Sequence, residues 1–558
     1  MAGAVRLPPA LTAGTLRITP IGGLGEIGRN MTTFEIDGKI LIVDCGVLFP
    51  DERQPGVDLI LPDFGFLADR IDDVLAVVLT HGHEDHIGGM PYLLRLRSDI
   101  PIIGSVLTLA FLTARLREHH LVPNRVSVAA GASERWGPFG LEFIAVNHSV
   151  PDALAVAITT TGGTVLHTGD FNMDQLPIDG RITDLGEFAR LGREGVDLLM
   201  IDSTNADIPG FSAHERSIRP ALDHIIRRAP RRVIIAGFSS NVHRVQQVLD
   251  SAHSNGRRVT FLGRSMVRSM GIAAELGYLT VPPDVLVDFS RSDAIPENKM
   301  IYIATGSQGE PMAVLGRMVR QAHEIAVRPG DTVILASSRI PGNESAIAGI
   351  IDGLTKLGAT VFHRGNALVH VSGHATAGPL LYVFNMVKPR NVLPVHGEFR
   401  HLTANAQLAI ETGVSASSVI LAENGTVIDL CAGRAVAVGQ LDVGYVFVDG
   451  ATVGELTEAD LKDRRILAQE GFVSVIVVVA VTTGVVLVGP EVHARGFAED
   501  ESVFDALKPL ISAALRTAAL NDVRDLHVLS QIVRRVAGRW VQQTFHRQPM
   551  IVPLVIQA

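Results

Sequence analysis

Cysteine is nearly absent: the 558-residue chain has two, Cys45 and Cys431. That excludes a disulfide scaffold and any zinc module built on clustered thiolates. It suits a reducing cytoplasm, the expected location. Charged residues are sparse at 19%, and acidic ones outnumber basic ones for a net charge of −9. Bulk positive charge is therefore excluded as a means of holding nucleic acid, and any polyanion must meet a local patch. A hydrophobic fraction of 47% and a mean hydropathy of +0.28 exclude a disordered chain. Long apolar runs are also missing. The strongest, Phe472–Val488, falls short of the roughly 20 residues that span a bilayer. It is Val-rich with Thr482, Thr483 and Gly484 at its middle, so it reads as two strands around a turn. The opening MAGAVRLPPALTAG has no apolar core of the signal-peptide kind. No membrane partner is expected.

The length predicts three or four domains at roughly 150 residues each. Residues 1–210 read as short strands broken by Gly, Pro and Asp turns, with helical stretches at Gly88–Arg97 and Leu107–His119. From 211 to 368 apolar strands alternate with helix-length segments, the pattern of a parallel sheet with crossover helices. Residues 369–449 contain a further strand, Asn391–Val395, and a strand-rich linker. Residues 450–558 read as a small separate α/β domain. No internal repeat or low-complexity segment interrupts this order.

The densest chemistry is Thr80-His81-Gly82-His83-Glu84-Asp85-His86, directly after the apolar strand Val74–Leu79. A tight loop at a strand end brings consecutive side chains to one point. Imidazole and carboxylate are the ligands of zinc and related divalent metals. Four such groups in one loop exceed what one open catalytic metal needs, which points to two metals. His148, Asp170 and His396 each follow an apolar strand as well. Singly, each would read as an ordinary packed or solvent-facing residue; their shared position groups them with the loop. Asp170 suits a bridge between two metals, since a carboxylate has two oxygens. Asp44, at the end of Leu41-Ile42-Val43, suits a carboxylate that orients a histidine ligand.

This set, His81-x-His83-x-Asp85-His86 with Asp44 before it and His148, Asp170 and His396 after it, resembles the metallo-β-lactamase superfamily. The fold implied is α/β: an αββα sandwich with a dinuclear site at one edge. The long stretch between Asp170 and His396, which contains the 211–368 segment, is similar to the β-CASP branch, whose members process RNA or DNA. Asp202 in Ile201–Asn205, His374 in His370–Ala375 and His396 in Pro394–Glu398 match that branch's three motifs. Gly22–Asn30, Phe238–Asn241 and Thr305–Glu310 resemble the bacterial ribonuclease J family, in an actinobacterial-like form. One departure is Ser212-Ala213-His214-Glu215, where a Ser is expected directly before the Glu.

The resemblance implies residues 1–210 and 369–449 as a metallo-β-lactamase domain in two parts, 211–368 as an inserted Rossmann-like β-CASP domain, and 450–558 as a C-terminal domain. It implies one metal held by His81, His83 and His148, another by Asp85, His86 and His396, and Asp170 shared. Zinc is the first expectation for both, with manganese or magnesium as alternatives. Metal binding lowers the pKa of water towards about 7 and makes a nucleophile at neutral pH. The implied catalytic residues are His374, Asp202 and Asp85, with His374 protonating the leaving 3′-oxygen or stabilising the charged transition state, and Asp202 orienting His374 or helping to order the metal site. The implied substrate-binding residues are His370, Val371, Ser372, Gly373 and His374, with Ser240 and Asn241 from the inserted domain.

The function implied is a ribonuclease with 5′→3′ exonuclease activity that favours 5′-monophosphorylated RNA, plus endonuclease activity, in maturation of rRNA and decay of mRNA. Its products would carry a 5′-phosphate and a 3′-hydroxyl. Single-stranded RNA is the expected partner, with a homodimer or homotetramer and RNA-degradation complex partners implied. The competing readings are a small-molecule hydrolase, a non-catalytic scaffold, and DNA as substrate. The inserted domain argues against the first and the full ligand set against the second.

Two signals mislead. Gly23-x-Gly25-x-x-Gly28 fits a dinucleotide-binding turn, but Asn30–Ile36 reads as a strand where that motif needs a helix. Basic residues at Arg227-Arg228, Arg231-Arg232, Arg257-Arg258, Arg264 and Arg268, and Arg534, Arg535 and Arg539 beside Trp540 read as solvated positions at least as readily as RNA contacts.

Overall fold

A computed structural model describes residues 7–310, 312–337, 343–498 and 500–558. The expectation about the opening segment falls partly on residues 1–6, outside the described residues. The chain forms two compact units, one running through Phe49 and over Ile60–Val446, the other made of Pro50–Leu59 and Phe447–Ala558.

In the first unit two sheets face each other. One has eight strands in the order Arg434–Gln440, Thr426–Cys431, Leu16–Gly22, Met31–Ile36, Lys39–Val43, Val74–Val78, Pro101–Gly104, Asn124–Ser127. The other has six, in the order Asn391–Val395, Leu198–Asp202, Gly163–His167, Leu154–Thr160, Phe139–Ala145, Ser133–Trp136. Phe34, Leu41 and Val78 from the first meet Phe143, Val156 and Leu198 from the second in one core. The helices Leu185–Glu194, Ala377–Val387 and Phe399–Glu411 cover the outer face of the second sheet through Phe188, Phe384 and Ala409. The helix Val106–Glu118 covers the first through Leu107, Leu112 and Leu116. This is an αββα sandwich.

The stretch between Leu198–Asp202 and Asn391–Val395 contains a five-stranded, all-parallel sheet. Its order is Arg258–Leu262, Met300–Ala304, Val233–Ala236, Thr332–Leu335, Thr360–Phe362. Its three central strands are buried on both faces and read as largely continuous apolar runs, as parallel strands do. After this excursion the chain returns as Asn391–Val395, parallel to Leu198–Asp202 with Asp202 opposite Val395. The strand ends of Asp202 and His396 are thereby neighbours.

The helix expected over Gly88–Arg97 is instead two short turns, Glu84–Ile87 and Met90–Leu93. Gly88 and Gly89 interrupt it, and the Gly89 N–H leaves the helix to bond Cys45 O at 2.9 Å. In the second unit Phe472–Ala480 and Val485–Arg495 pair around a turn, and Met550–Gln557 adds in parallel. Val473, Val475, Val477 and Val479 alternate inward against the helices Leu507–Leu520 and Leu526–Phe545, as the two-residue period of a strand requires. No helix among the described residues is long and apolar enough to cross a membrane.

One close approach fixes the ligand loop on the first sheet. Cys45 N bonds His86 O at 2.9 Å, Val47 N bonds Glu84 O at 3.1 Å, and Asn30 N bonds Asp85 O at 3.0 Å. Gly46 lies in the middle, and a Cβ there would stand 1.6 Å from Asp85 O, a backbone atom. Gly46→Ala must therefore push the loop outward. We expect a loss of about 1–3 kcal/mol in denaturant unfolding, the usual cost of overpacking, and reduced metal uptake by elemental analysis.

Candidate metal centre

Six segments deliver the site, five of them from ends of strands. The loop after Val74–Val78 brings His81, His83, Asp85 and His86. His148 follows Phe139–Ala145, Asp170 follows Gly163–His167, and His396 follows Asn391–Val395. Asp202 ends its own strand, and His374 precedes the helix Ala377–Val387. Asp44 and His396 hold left-handed backbone angles, with φ of 59° and 54°. Non-glycine residues rarely adopt that region, and strain of this kind gathers at functional sites.

The structure brings all seven proposed ligands together, in two overlapping groups that share Asp170. His81, His83, His148 and Asp170 form one; Asp85, His86, Asp170 and His396 form the other; in each, the ligand atoms lie within 4.8 Å of one another. A third group of the same compactness joins Asp170, Asp202, His374 and His396.

Proton positions follow from the partners. The Thr80 hydroxyl donates to Asp44 Oδ2 at 2.8 Å and lies 3.1 Å from His81 Nδ1, which therefore donates to it. His86 Nδ1 donates to the same Asp44 oxygen at 2.8 Å. His148 Nδ1 donates to Gly373 O at 2.8 Å. The Thr204 hydroxyl donates to Asp202 Oδ1 at 2.9 Å and accepts from His396 Nδ1 at 2.6 Å. His83 is reversed: its Nε2 meets Ser149 Oγ at 3.3 Å, and its Nδ1 points inward. Each imidazole thus has its outer nitrogen occupied, as in a metal ligand; on the inner side His86 Nε2 lies 3.1 Å from Asn30 Nδ2 and His396 Nε2 3.3 Å from Asp85 Oδ2.

Two observations test whether a cation fits. His83 Nδ1 lies 3.0 Å from His81 Nε2 and 3.1 Å from His148 Nε2. Three lone pairs so close repel unless a cation lies among them. Asp170 Oδ2 is fully buried with no hydrogen-bond partner. It lies 3.3 Å from His86 Nε2, 3.6 Å from His81 Nε2, 3.7 Å from His396 Nε2 and 3.8 Å from His148 Nε2. A buried carboxylate oxygen without a partner marks the place of an ion. The donor set suits a divalent metal site.

Electrostatics divide the imidazoles. Burial pushes His81 and His148 well below the ordinary histidine pKa and His83 down to about 4, so all three are neutral and ready to ligate. Burial opposes protonation of His86 and His396 too. For His86 the carboxylates of Asp170, Asp44 and Asp85 outweigh it, raising its pKa well above the ordinary value. For His396 they are Asp170, Asp202 and Asp85, which raise it to about 10. Asp85 and Asp170 resist burial in the same way: neighbouring imidazolium charge holds both below the usual carboxylate range. His374 is raised by Asp202 against its burial.

The other expected residues lie as follows. His374 Nδ1 meets Asp202 Oδ2 at 2.8 Å, and its ring stacks on His396 at 5.3 Å and 16°. Ser372 Oγ accepts from Asn205 Nδ2 at 2.8 Å, and Gly373 touches His148 as above. His370 is buried with Nδ1 at 3.3 Å from Arg244. Asn241 caps the helix Val242–Ser254, its Oδ1 accepting from Arg244 N at 3.0 Å. With Ser240 it borders the His370 segment through Arg244, which also bonds Val369 O. The Gly23–Gly28 turn leads into the strand Met31–Ile36 and bridges Gly397 beside His396, so no helix follows it. Arg268 pairs with Glu118, Arg534 bonds Ile551 O, and Trp540 packs on Phe545, which are structural roles.

Sequence reasoning missed Thr80, Thr204 and Ser149, the hydroxyls that orient three of the ligands. Each is adjacent or near-adjacent to a singled-out residue. A hydroxyl's direction, however, is set by the fold and leaves no trace in spacing.

Comparison with known proteins follows the same lines. Residues 40–223 match the β-lactamase superfamily domain, 230–354 the ribonuclease J β-CASP domain, 365–419 the Zn-dependent metallo-hydrolase RNA specificity domain, and 460–558 the ribonuclease J C-terminal domain. The chain is 52% identical over 556 residues to "Ribonuclease J" of Mycobacterium tuberculosis, covering 99% of this chain and 100% of that one. It is 52% identical over 551 residues to "Ribonuclease J" of Mycolicibacterium smegmatis, covering 99% of each. It is 34% identical over 549 residues to "Ribonuclease J2" of Bacillus subtilis, covering 97% and 98%. A solved structure from Enterococcus faecalis, a protein of unknown function, shares the fold at a TM-score of 0.52 and 16% identity, over 75% of this chain and all of that one.

Replacing Thr204 by Val removes the hydroxyl between Asp202 and His396 and keeps the shape. Metal affinity, read by competition with a chelating dye, should fall about 10- to 100-fold, the usual effect of removing a ligand's orienting partner. Unchanged affinity would show that His396 needs no such support.

Proposed function

Because the chain belongs to the ribonuclease J family, and so is a metal-dependent ribonuclease, we propose that it degrades RNA from a 5′-monophosphorylated end in the 5′→3′ direction and also cuts internally. The observation that carries the reading is the junction of the two halves of the site. Gly373 O orients the ligand His148, so the loop His370–His374 forms one wall of the metal centre. A chain end held by that loop has its first phosphodiester beside the ligands.

We assign one divalent cation to His81, His83 and His148 and another to Asp85, His86 and His396, with Asp170 shared; zinc is the first choice for this imidazole-rich set. When bound, such cations supply an activated water and neutralise charge gathering on the phosphate. The remaining work falls to side chains. Asp202 accepts from His374 Nδ1 and keeps the ring charged, leaving an Nε2 proton for the departing ribose 3′-oxygen. Backbone N–H groups of Ser372–His374 and the Ser372 hydroxyl suit a phosphate cradle. The products carry a 5′-phosphate and a 3′-hydroxyl. A cytoplasmic location agrees with the unpaired Cys45 and Cys431.

The test is a time course on end-labelled RNA with 5′-monophosphate, 5′-triphosphate or 5′-hydroxyl ends. We expect mononucleotide release from the monophosphate form, lost in Asp85→Ala/His86→Ala and reduced about 100-fold or more in His374→Ala, as for a general acid. Internal cuts indifferent to the 5′ end would discard the end-binding reading. Full-rate cleavage by His374→Ala would remove its proton-donor role.

We also propose self-association through the second unit. Opposite its helices the sheet leaves an apolar face: Leu554 is 51% exposed, Ile556 44% and Val488 58%, beside Ile476 and Val478 in register. A face this apolar and this open is characteristic of an interface. Leu554→Asp should lower the mass in solution measured by light scattering; an unchanged assembly would place the interface elsewhere.

A further inference from the structure

His214 lies outside the metal-ligand set, on the segment leading from the second sheet into the inserted domain. Its Nδ1 lies 2.7 Å from Asp174 Oδ1. Asp174 is buried and also accepts from Leu176 N and Glu215 N, each at 2.8 Å. With those bonds it is an acceptor only, so His214 Nδ1 is the donor. The ring's other nitrogen, Nε2, is therefore turned away from Asp174, and the side chain is 39% exposed. Asp174 also lines a small polar cavity with the ligand His148, with Ser149, and with Ser372 and Gly373 of the substrate loop. The imidazole is thus oriented by a carboxylate that lines this cavity, and its chain neighbour Glu215 lines the cavity too, while His214 itself is outside the proposed ligand set.

We propose that His214 contacts a ribose 2′-hydroxyl of the bound RNA through Nε2 and contributes to discrimination of RNA from DNA. The inference rests on the ribonuclease reading above. The chemistry selects the group. Nε2 accepts a hydrogen bond when the ring is neutral and donates one when it is charged. A 2′-hydroxyl is both donor and acceptor, so it pairs in either state. A phosphate only accepts, and the negative charge of Asp174 behind the ring opposes it. Glu215 offers no competing site, because Arg244 holds both its oxygens, at 2.7 and 2.9 Å.

The alternative is that His214 merely pins its segment to Asp174. His214→Asn separates the two, since the Asn amide still donates to Asp174 but nothing replaces Nε2. The experiment measures kcat/KM on a 5′-monophosphorylated RNA and on versions carrying a single 2′-deoxy nucleotide at each position in turn. Metal content and unfolding midpoint are recorded for each protein, and His214→Gln serves as the second variant if Asn disturbs folding. Wild type should favour the ribose form at one position by about two- to tenfold, the effect of one neutral hydrogen bond. The variant should lose that preference at that position alone. Equal ratios in wild type and variant, or a wild type indifferent at every position, would overturn the proposal while leaving the ribonuclease reading intact. A metal-loaded wild type that cleaves no all-ribose RNA would overturn both.

Discussion

The structure is organised around a buried negative charge. Asp170 is wholly enclosed, and one of its oxygens has no hydrogen-bond partner. Removing an isolated carboxylate from water costs several kcal/mol even after the surroundings relax. The fold meets that cost with imidazoles from the ends of strands in both sheets, and with the cations they are built to hold. Without cations, protonation of His86 and His396 supplies the positive charge; with them, those protons must leave, so metal binding and proton release are one equilibrium. The left-handed backbone at Asp44 and at His396 belongs to the same account. Each costs of order 1–3 kcal/mol and is held by the strands that end there.

A site assembled from such distant segments tolerates a whole domain inserted within it. His396 follows Asp170 only after the five-stranded parallel sheet has been completed. Yet Asn391–Val395 enters directly beside Leu198–Asp202. Closing a longer loop adds little, because the entropy grows only with the logarithm of length. What fixes His396 is the parallel register of two strands, and that register is indifferent to the size of the excursion. The insertion is in turn tied to the segment that leads to His374, through the bonds from Arg244 to Val369 O and His370 Nδ1.

Most of the fold was legible because the local patterns agree with the tertiary structure. Continuous apolar runs became buried parallel strands, and the Val alternation of Phe472–Ala480 became a one-sided sheet. The candidate ligands were legible because strand ends and imidazole–carboxylate clustering leave a mark in the sequence. The broken helix at Gly88–Leu93 was not, because its failure depends on Cys45 O, a carbonyl just past the strand Lys39–Val43, taking the Gly89 N–H. Thr80, Thr204 and Ser149 were not legible for a similar reason. A hydroxyl one or two residues from a singled-out histidine or aspartate is commonplace in any chain, and only the folded backbone decides whether it faces an imidazole. The resemblance to a family supplied the roles of Ser240 and Asn241; the structure shows Asn241 as the cap of the helix Val242–Ser254.

The orienting partners of the five proposed ligand imidazoles differ in kind. His86 leans on a carboxylate, His81, His83 and His396 on hydroxyls, and His148 on a backbone carbonyl. The charged carboxylate makes its imidazole a stronger electron donor than the neutral partners do. The partner of His148 is Gly373 O, in the loop His370–His374. Asp44 and Thr80, by contrast, follow strands of the first sheet. The proposed ligands are therefore oriented from two sides, by Asp44 and Thr80 on the first sheet and by Gly373 on the loop before Ala377–Val387, and Asp170 belongs to both ligand clusters.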